Sequence, residues 1–426
     1  MSRSLSDWES YIQTLHSRSV DLGLDRVAQV FDRLIPQPIP FAVITVAGTN
    51  GKGSCVAMLE AILDAASYTV GAYTSPHFID YNERIRINRR DMDDIRLCQA
   101  FECVEAARGN TALTYFEFGT LVALDIFVKA NLDVVILEVG LGGRLDAVNL
   151  VDADVALLTS VAIDHTDWLG SDRESIGYEK AGIFRPHRPA ICHDPQPPDS
   201  VTQHARHVGA HWYGINTEFG YRCEDQAWSW WAEDVHRYGL PFPALRGKEQ
   251  MGNAAGVLMA LHCIRERFPV NQAQVREGLL VASPPGRFQT LPGRPLRVLD
   301  VAHNPEAACA LSASLKHQPV QGRSLAVCAM LEDKAHHDIF AQLVSNFDVW
   351  YLASLDVARG ASGQALAAKL QVQPEVRIMV YDDVLAAYAA ATADACDHDR
   401  IVVFGSFYTV GAIMSAVKIS SKQNVV

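Results

Sequence analysis

Seven consecutive residues, Gly48-Thr49-Asn50-Gly51-Lys52-Gly53-Ser54, carry the densest chemistry in the chain. They follow the apolar run 41–47 and precede a helix-like stretch that begins near residue 54. Glycines let successive backbone N–H groups turn toward one point, the helix start adds positive potential and Lys52 adds a cation, so the segment can cradle phosphates. It departs from the usual GxxxxGK[ST] spacing: Val46 stands at the first glycine position, and Gly53 separates Lys52 from Ser54. A ligand-free glycine turn is the plainer reading of the same residues. The lysine and serine beside the glycines favour a nucleotide phosphate site, with Ser54 as a magnesium contact.

Three further segments end apolar runs in polar groups. Glu138 closes the run 133–139 and is followed by Gly140-Leu141-Gly142-Gly143-Arg144; a dinucleotide fingerprint fails there, because Leu145 stands where the third glycine would fall. The run 154–160 leads into Asp164-His165-Thr166-Asp167, and the run 69–74 into Thr74-Ser75-Pro76-His77. Taken one at a time, a strand-end acid or a lone histidine is as well read as structural. Together these strand ends bring oxygen and nitrogen ligands to one crevice, which suits a hard divalent ion. Lys180, in Glu179-Lys180-Ala181-Gly182-Ile183, reads blandly as a cation near a helix C-terminus. Further along, Asp300-Val301-Ala302-His303-Asn304-Pro305 has the grammar of a helix start. Asn304 is the N-cap and Pro305 the first helical residue, which leaves Asp300 and His303 to face a ligand. Arg287 lies in a proline- and glycine-rich connector and is placed to reach a bound nucleotide.

These groups need a scaffold, and the apolar pattern supplies one. Apolar runs at 41–47, 69–74, 133–139 and 154–160 alternate with helix-like stretches at 53–66, 95–107 and 117–130. Continuous apolar runs mark strands buried on both faces, so the fold class is α/β, a doubly wound, mainly parallel sheet. Residues 195–247 break this pattern into short aromatic pieces with Trp228 and Trp230 at period two, a small antiparallel excursion; a long helix at 251–267 follows. Alternation resumes at 296–301, 324–330, 348–353, 376–381 and 401–404. The expected organisation is a P-loop-like nucleotide-binding domain over 1–290 and a second, smaller α/β domain over 296–426. A short helix at 6–16, capped by Ser6 with Glu9, is expected before the first strand.

Composition removes other classes. With 426 residues, 49% apolar and 20% charged, the chain exceeds what one hydrophobic core serves and is neither disordered nor fibrous. No apolar run approaches the roughly 20 residues of a membrane span, and no secretory signal is visible, so the cytoplasm is the expected compartment. A net charge of −12 disfavours nucleic-acid binding. The nine cysteines are odd in number and scattered, which reads as reduced, mostly buried thiols.

GTNGKGS, TSPH, TYFEFG, EVGLGGRLDA, DHTDWLG, EKAGIFR, PGRF and DVAHNP occur in this order over about three quarters of the chain. Together they resemble the folylpolyglutamate synthase family, most closely its bacterial bifunctional members, which are also dihydrofolate synthases. The resemblance implies an ATPase domain followed by a Rossmann-like domain, with ATP held between them by Thr49, Asn50, Gly51, Lys52, Gly53, Ser54, Asn253, Arg287, Asp300 and His303. It implies magnesium on Ser54, Ser75, Glu138 and His165, and a carbamylated Lys180 that joins the metal. Lys52, Lys180 and His165 would be the catalytic residues. The pterin side maps onto Leu22, Gly23, Thr114, Tyr115, Phe116, Glu117, Leu145, Asp146 and Ala147. The implied reaction adds L-glutamate to 7,8-dihydropteroate and to folyl glutamates through an acyl phosphate. Partners would be these small molecules, with no nucleic acid or membrane, and the protein a monomer.

Three other readings compete. A Mur-type UDP-muramoyl peptide ligase shares the phosphate loop and lysine, but such ligases carry a separate N-terminal sugar domain, for which the 47 residues before Gly48 leave too little chain. A monofunctional folylpolyglutamate synthase would not need the segments 21–24 and 114–117. A non-catalytic nucleotide switch would not need Asp300, His303 or Lys180.

Overall fold

The computed structural model describes residues 3–18, 20–233, 235–245, 247–370 and 376–423. The chain forms two compact units: residues 1–77, 81–244 and 251–282 make the first, and residues 78–80, 245–250 and 283–426 the second.

The first unit is built on eight strands: β1 (Ala42–Ala47), β2 (Val70–Tyr73), β3 (Ile85–Ile87), β4 (Arg90–Asp91), β5 (Val134–Glu138), β6 (Val155–Leu158), β7 (Pro189–Cys192) and β8 (His211–Gly214). Their order across the sheet is β4-β3-β2-β5-β1-β6-β7-β8. All pairs are parallel except β2–β3 and β3–β4. Every residue of β1, β2, β5 and β6 is buried, as strands covered by helices on both faces must be. β1 lies between β5 and β6 in the middle of the sheet, so the loop after it opens where the chain changes direction across the sheet, the usual ligand position in open α/β folds.

The expected antiparallel excursion is present but shorter than 195–247. The helix Asp199–Val208 and β8 belong to the main sheet, and only β9 (Phe219–Cys223), β10 (Trp228–Ala232) and β11 (Val235–Leu240) stand apart. Trp228 and Trp230 point to one buried face, and their indole N–H groups donate to the carbonyls of Pro241 and Ala255. The first helix also differs from expectation. It spans Leu5–Ile12, and its capping box is Ser4 with Asp7 rather than Ser6 with Glu9. Two overlapping boxes compete there, and the one chosen places Trp8 and Ile12 together in the core.

In the second unit, β12 (Gln289–Leu291), β13 (Leu296–Leu299), β14 (Ser324–Cys328), β15 (Val349–Ala353), β16 (Arg377–Tyr381) and β17 (Arg400–Phe404) form a sheet ordered β12-β13-β17-β14-β15-β16. Only β12 runs antiparallel. Asn304 caps the helix Pro305–His317 with Pro305 in its first turn, as its grammar predicts. All nine cysteines are free, but only Cys55, Cys192 and Cys328 are buried. Composition does not distinguish thiols on helix surfaces, such as Cys309, from thiols in strands. Among the described residues no helix is long and apolar enough to cross a membrane.

Candidate functional site: a phosphate loop beside an aromatic wall

The loop after β1 is shaped by contacts that only glycine permits. Gly48 has φ +147°, and a Cβ there would lie 1.7 Å from the Thr159 hydroxyl. Gly51 has φ +90°, and a Cβ there would lie 2.4 Å from Oδ1 of Asn253. Asn253, two hundred residues away in the chain, thus sits against the loop. Thr159 and Ser160, just past β6, brace the loop from the other side: the Thr159 hydroxyl donates to the Asn50 carbonyl (2.6 Å), the Thr49 N–H to the Ser160 carbonyl (2.7 Å), and the Asn50 N–H to the Ser160 hydroxyl (3.3 Å). The helix Lys52–Ala65 starts at Gly51. Lys52 curls back so that Nζ donates to the carbonyls of Gly48 (2.9 Å) and Thr49 (3.1 Å). Its ammonium therefore stands over the loop where phosphate oxygens would lie.

The Ser54 hydroxyl is buried without a hydrogen-bond partner. A buried hydroxyl costs roughly 1–3 kcal/mol when unsatisfied, so a ligand oxygen or a cation is the expected companion. Glu138, 4% exposed, is in register with Val46, two residues before Gly48. Its charge helps raise the Cys55 thiol, after the larger effect of burial, which places the carboxylate close to the residue that follows Ser54. His165 adopts a left-handed conformation (φ +52°) in an exposed turn before the short helix Thr166–Leu169. Behind that turn, Asp194 accepts from the Val161 N–H, and Arg173 donates to the Val161 carbonyl. Lys180 is 4% exposed at the end of the helix Arg173–Ala181. That helix end packs so tightly on Gly143 that a Cβ there would meet the carbonyls of Glu179 and Lys180 at 2.8 Å. Ser75 precedes Pro76 in a partly buried loop. The described residues hold no cluster of three or more His, Cys, Asp or Glu side chains fit for a metal.

Next to the loop is a wall of aromatic and capping residues. Thr114 caps the helix Tyr115–Lys129 and forms a capping box with Glu117. Arg26 donates to Glu117 (3.0 Å) and to Asp21 (2.6 Å), so the segment holding Leu22 and Gly23 is tied to this helix start. The Phe116 ring lies on Gly140 and 5.8 Å from the Tyr73 ring. Asp146 caps the turn Ala147–Leu150, accepting from the N–H groups of Val148 (3.0 Å) and Leu141 (2.8 Å). Burial pushes its carboxyl up to about 7, against those backbone donors and the charge of Lys52. Leu145 and Ala147 flank it.

The second unit has its own polar cluster at the C-terminal ends of the neighbouring strands β13 and β17. Asp300 accepts from the N–H groups of Phe288 and Ala302, both at 2.8 Å, and burial raises its pKa. His303 Nδ1 is 2.7 Å from the Val301 carbonyl and donates to it. The Arg287 guanidinium lies 5.3 Å over the Phe407 ring, and the Phe78 ring lies 4.9 Å from that ring.

Sequence spacing did not single out Thr159, Ser160, Arg26 or Asp194. The two hydroxyls at the end of β6 offered a local signal. Arg26 and Asp194 offered none, because Glu117 and Val161, the partners that tie them to the site, lie 91 and 33 residues away in the chain.

Comparison with known proteins follows this geometry. Residues 46–239 match the Mur ligase middle domain, and residues 286–407 the Mur ligase glutamate ligase domain. The chain is 46% identical to the dihydrofolate synthase/folylpolyglutamate synthase of Escherichia coli over 97% of this chain and 95% of that protein. It is similar to E. coli FolC solved in complex with DHPP and ADP, with a TM-score of 0.92, 44% identity and coverage of 98% of this chain and 99% of that one. A bifunctional folylpolyglutamate synthase/dihydrofolate synthase solved with Mn, AMPPNP and L-glutamate gives a TM-score of 0.89 at 45% identity over 98% of each chain.

Proposed function

Because the chain belongs to the dihydrofolate synthase/folylpolyglutamate synthase family, we propose that it is an ATP-dependent ligase that adds L-glutamate to 7,8-dihydropteroate and to folyl glutamates. The observation that carries this reading is the phosphate loop: two sterically obligatory glycines, a lysine folded over it and a buried, unsatisfied Ser54 hydroxyl.

ATP lies on Thr49, Asn50, Gly51, Lys52, Gly53 and Ser54, with Asn253 closing the loop; Arg287, Asp300 and His303 of the second unit stay nucleotide-binding candidates on the strength of the family resemblance. Lys52 moves from its own carbonyls to the phosphates and offsets the charge of the transferring group. The γ-phosphoryl group passes to the acceptor's carboxylate and ADP leaves. The amine of L-glutamate then attacks the acyl phosphate, forming the amide and releasing phosphate. The protein's share is positioning and charge stabilisation.

The donors present fit magnesium. It takes one or two carboxylates, hydroxyls, waters and substrate phosphates rather than a dedicated cage. Ser54, Ser75, Glu138 and His165 would hold it, with Lys180 as a carbamate; the ion would supply charge neutralisation at the phosphates. Lys180 is 4% exposed, and carbamylation of a lysine needs its amine in the neutral form. The acceptor rests on the wall of Leu22, Gly23, Thr114 to Glu117 and Leu145 to Ala147. The rings of Tyr115 and Phe116 give the contact surface, while Thr114, Glu117 and Asp146 hold the backbone that presents them. The protein acts as a cytoplasmic monomer on small molecules.

One assay tests the reading: phosphate release with ATP, magnesium and L-glutamate, offering dihydropteroate, tetrahydrofolate or a UDP-muramoyl acid in turn. Turnover with the first two is expected. Turnover with tetrahydrofolate alone would make the enzyme monofunctional, turnover with the UDP-muramoyl acid would make it a Mur-type ligase, and turnover with none would make it a nucleotide switch.

A further inference from the structure

The turn that carries His165 has little packing of its own. Ile163 is 51% exposed and Trp168 44%, and His165 between them holds its left-handed φ of +52°. A segment with so few buried contacts keeps a side chain in one place only if its ends are fixed. At the end nearer β6 they are fixed by side chains from three distant parts of the chain. The Asp194 carboxylate accepts from the Val161 N–H (2.9 Å), and Arg173 Nε donates to the Val161 carbonyl (2.7 Å). The Thr49 hydroxyl accepts from the Ala162 N–H (3.0 Å) and donates to the Ala162 carbonyl (3.1 Å). All four backbone polar groups of two consecutive residues are thus taken by side chains just before Asp164 and His165, which sets the direction in which the chain leaves β6.

Arg173 joins the most of these parts. Its Nη2 donates to Asp194 (3.1 Å) and to the Gln196 carbonyl (2.9 Å), while Asp194 also accepts from the Gln196 N–H (2.9 Å). The Asp194 side chain is 8% exposed, so the pair is sheltered on its acidic side. Arg173 is also the first residue of the helix Arg173–Ala181, near whose end Lys180 stands. Its bond to Val161, 12 residues back, closes a loop that contains His165 and sets where that helix begins. Thr49 ties the same anchor to the phosphate loop. One guanidinium therefore links the loop, the His165 turn and the helix of Lys180, without itself belonging to any of the three sets of proposed ligand contacts.

We propose that Arg173, held by Asp194, is a positioning residue that fixes the turn 161–165 against the phosphate loop and so keeps His165 in place for the divalent cation that accompanies ATP. The inference rests on the metal reading above and adds to it the residue that aims the ligand. The planar fork of an arginine can hold a carbonyl with Nε and a carboxylate with Nη2 at once, which the single ammonium of a lysine does less well.

The test titrates Mn2+ into the whole protein saturated with a non-hydrolysable ATP analogue, read by electron paramagnetic resonance, for the wild type, Arg173→Gln, His165→Ala and the double variant. Arg173→Gln and His165→Ala should each weaken Mn2+ binding by about 10-fold, the scale of losing a partner that orients a metal ligand. The double variant should bind no more weakly than His165→Ala alone, because both changes act through one side chain. Affinity for the analogue without metal should match wild type throughout. An arginine that only supports the fold would lower the thermal melt and leave Mn2+ affinity unchanged; that result, or additive losses in the double variant, overturns the proposal. If Arg173→Gln does not fold, Arg173→Lys and Asp194→Asn decide through the same cycle with His165→Ala. Undiminished Mn2+ affinity in His165→Ala overturns the metal role of His165 and this proposal with it. Phosphate release by the wild type with dihydropteroate and L-glutamate would still leave the ligase reading standing in each of these cases.

Discussion

The phosphate loop and the aromatic wall are neighbours in one unit, yet they use their distinctive residues in opposite ways. In the loop the residues that stand out by type are the ones proposed to touch the ligand. Gly48 and Gly51 are demanded by φ and by close approach, and Lys52 and Ser54 present an ammonium and an unsatisfied hydroxyl. In the wall the polar residues that stand out are already engaged. Thr114 and Glu117 cap a helix, Glu117 also holds Arg26, and Asp146 ties Leu141 to Val148. A motif can thus be chemical in one place and architectural a few ångströms away, and the hydrogen-bond account of each side chain separates the two cases.

The comparison predicts that substitutions in the loop and metal region act on rate, and substitutions of the wall's capping residues on stability. The largest effects are expected from Lys180→Ala and Lys52→Ala. Each should lower ligation by about 10³-fold or more, the scale of losing a group that offsets transition-state charge, with the thermal melt close to wild type. Phosphate release at saturating ATP measures both, and wild-type turnover in either variant would remove that lysine from the chemistry. Gly51→Ala should come next. It places a Cβ 2.4 Å from Asn253 Oδ1 at a φ of +90°, so the loop must shift. ATP affinity should fall by about 10²-fold, consistent with a strained φ costing roughly 1–3 kcal/mol in addition to the clash. Equilibrium binding of an ATP analogue reads this directly.

The two regions also carry buried titratable groups whose pH dependences have opposite signs. His193 lies beneath the loop helix, its Nε2 3.8 Å from the Cys55 sulfur, and burial lowers its pKa from 6.5 to about 4. Its neutral form is the one folding prefers, so its contribution is complete above 6.5 and is lost as the pH falls toward 4. Asp146, in the wall, is raised from 3.8 to about 7. Its contribution is complete below 3.8 and is lost as the pH rises through about 7. Each slope is at most about 1.4 kcal/mol per pH unit, and between pH 4 and 6.5 they oppose each other. Denaturant unfolding across pH 4.5 to 7.5 should therefore show Asp146→Asn gaining stability more steeply with pH than wild type, and His193→Gln losing it. Parallel curves for the two variants would mean that neither group titrates as its burial requires.

What the sequence made legible follows the same division. Continuous apolar runs mark β1, β2, β5 and β6 because a strand covered on both faces has nowhere to place a polar side chain. β3 and β4, of three and two residues, the first only partly buried and the second exposed, carry no such pattern, and β8 is hidden in a stretch whose aromatic residues suggest a hairpin. The phosphate loop is legible because its glycines and lysine act within seven residues of one another. Arg26 is not, because the partner that ties it to the wall, Glu117, lies 91 residues away. Such a property has no local spacing to detect.

The smallest effect is also the sharpest test of the division. Thr114 accepts a hydrogen bond from the Glu117 N–H at 3.3 Å and is 4% exposed, so its hydroxyl serves the helix start rather than open solvent. Thr114→Ala should cost about 1 kcal/mol of stability, as loss of an N-cap does, and Thr114→Ser should restore it. The Michaelis constant for the acceptor should rise only a few-fold, because the rings of Tyr115 and Phe116 keep their places as long as the helix begins where it does. That for ATP should not move, since no part of the cap touches the phosphate loop. Urea unfolding and acceptor titrations on the same preparations separate the outcomes. If the acceptor constant rises tenfold or more while stability falls by the expected amount, Thr114 contacts the acceptor through its own hydroxyl, and the wall is then as chemical as the loop.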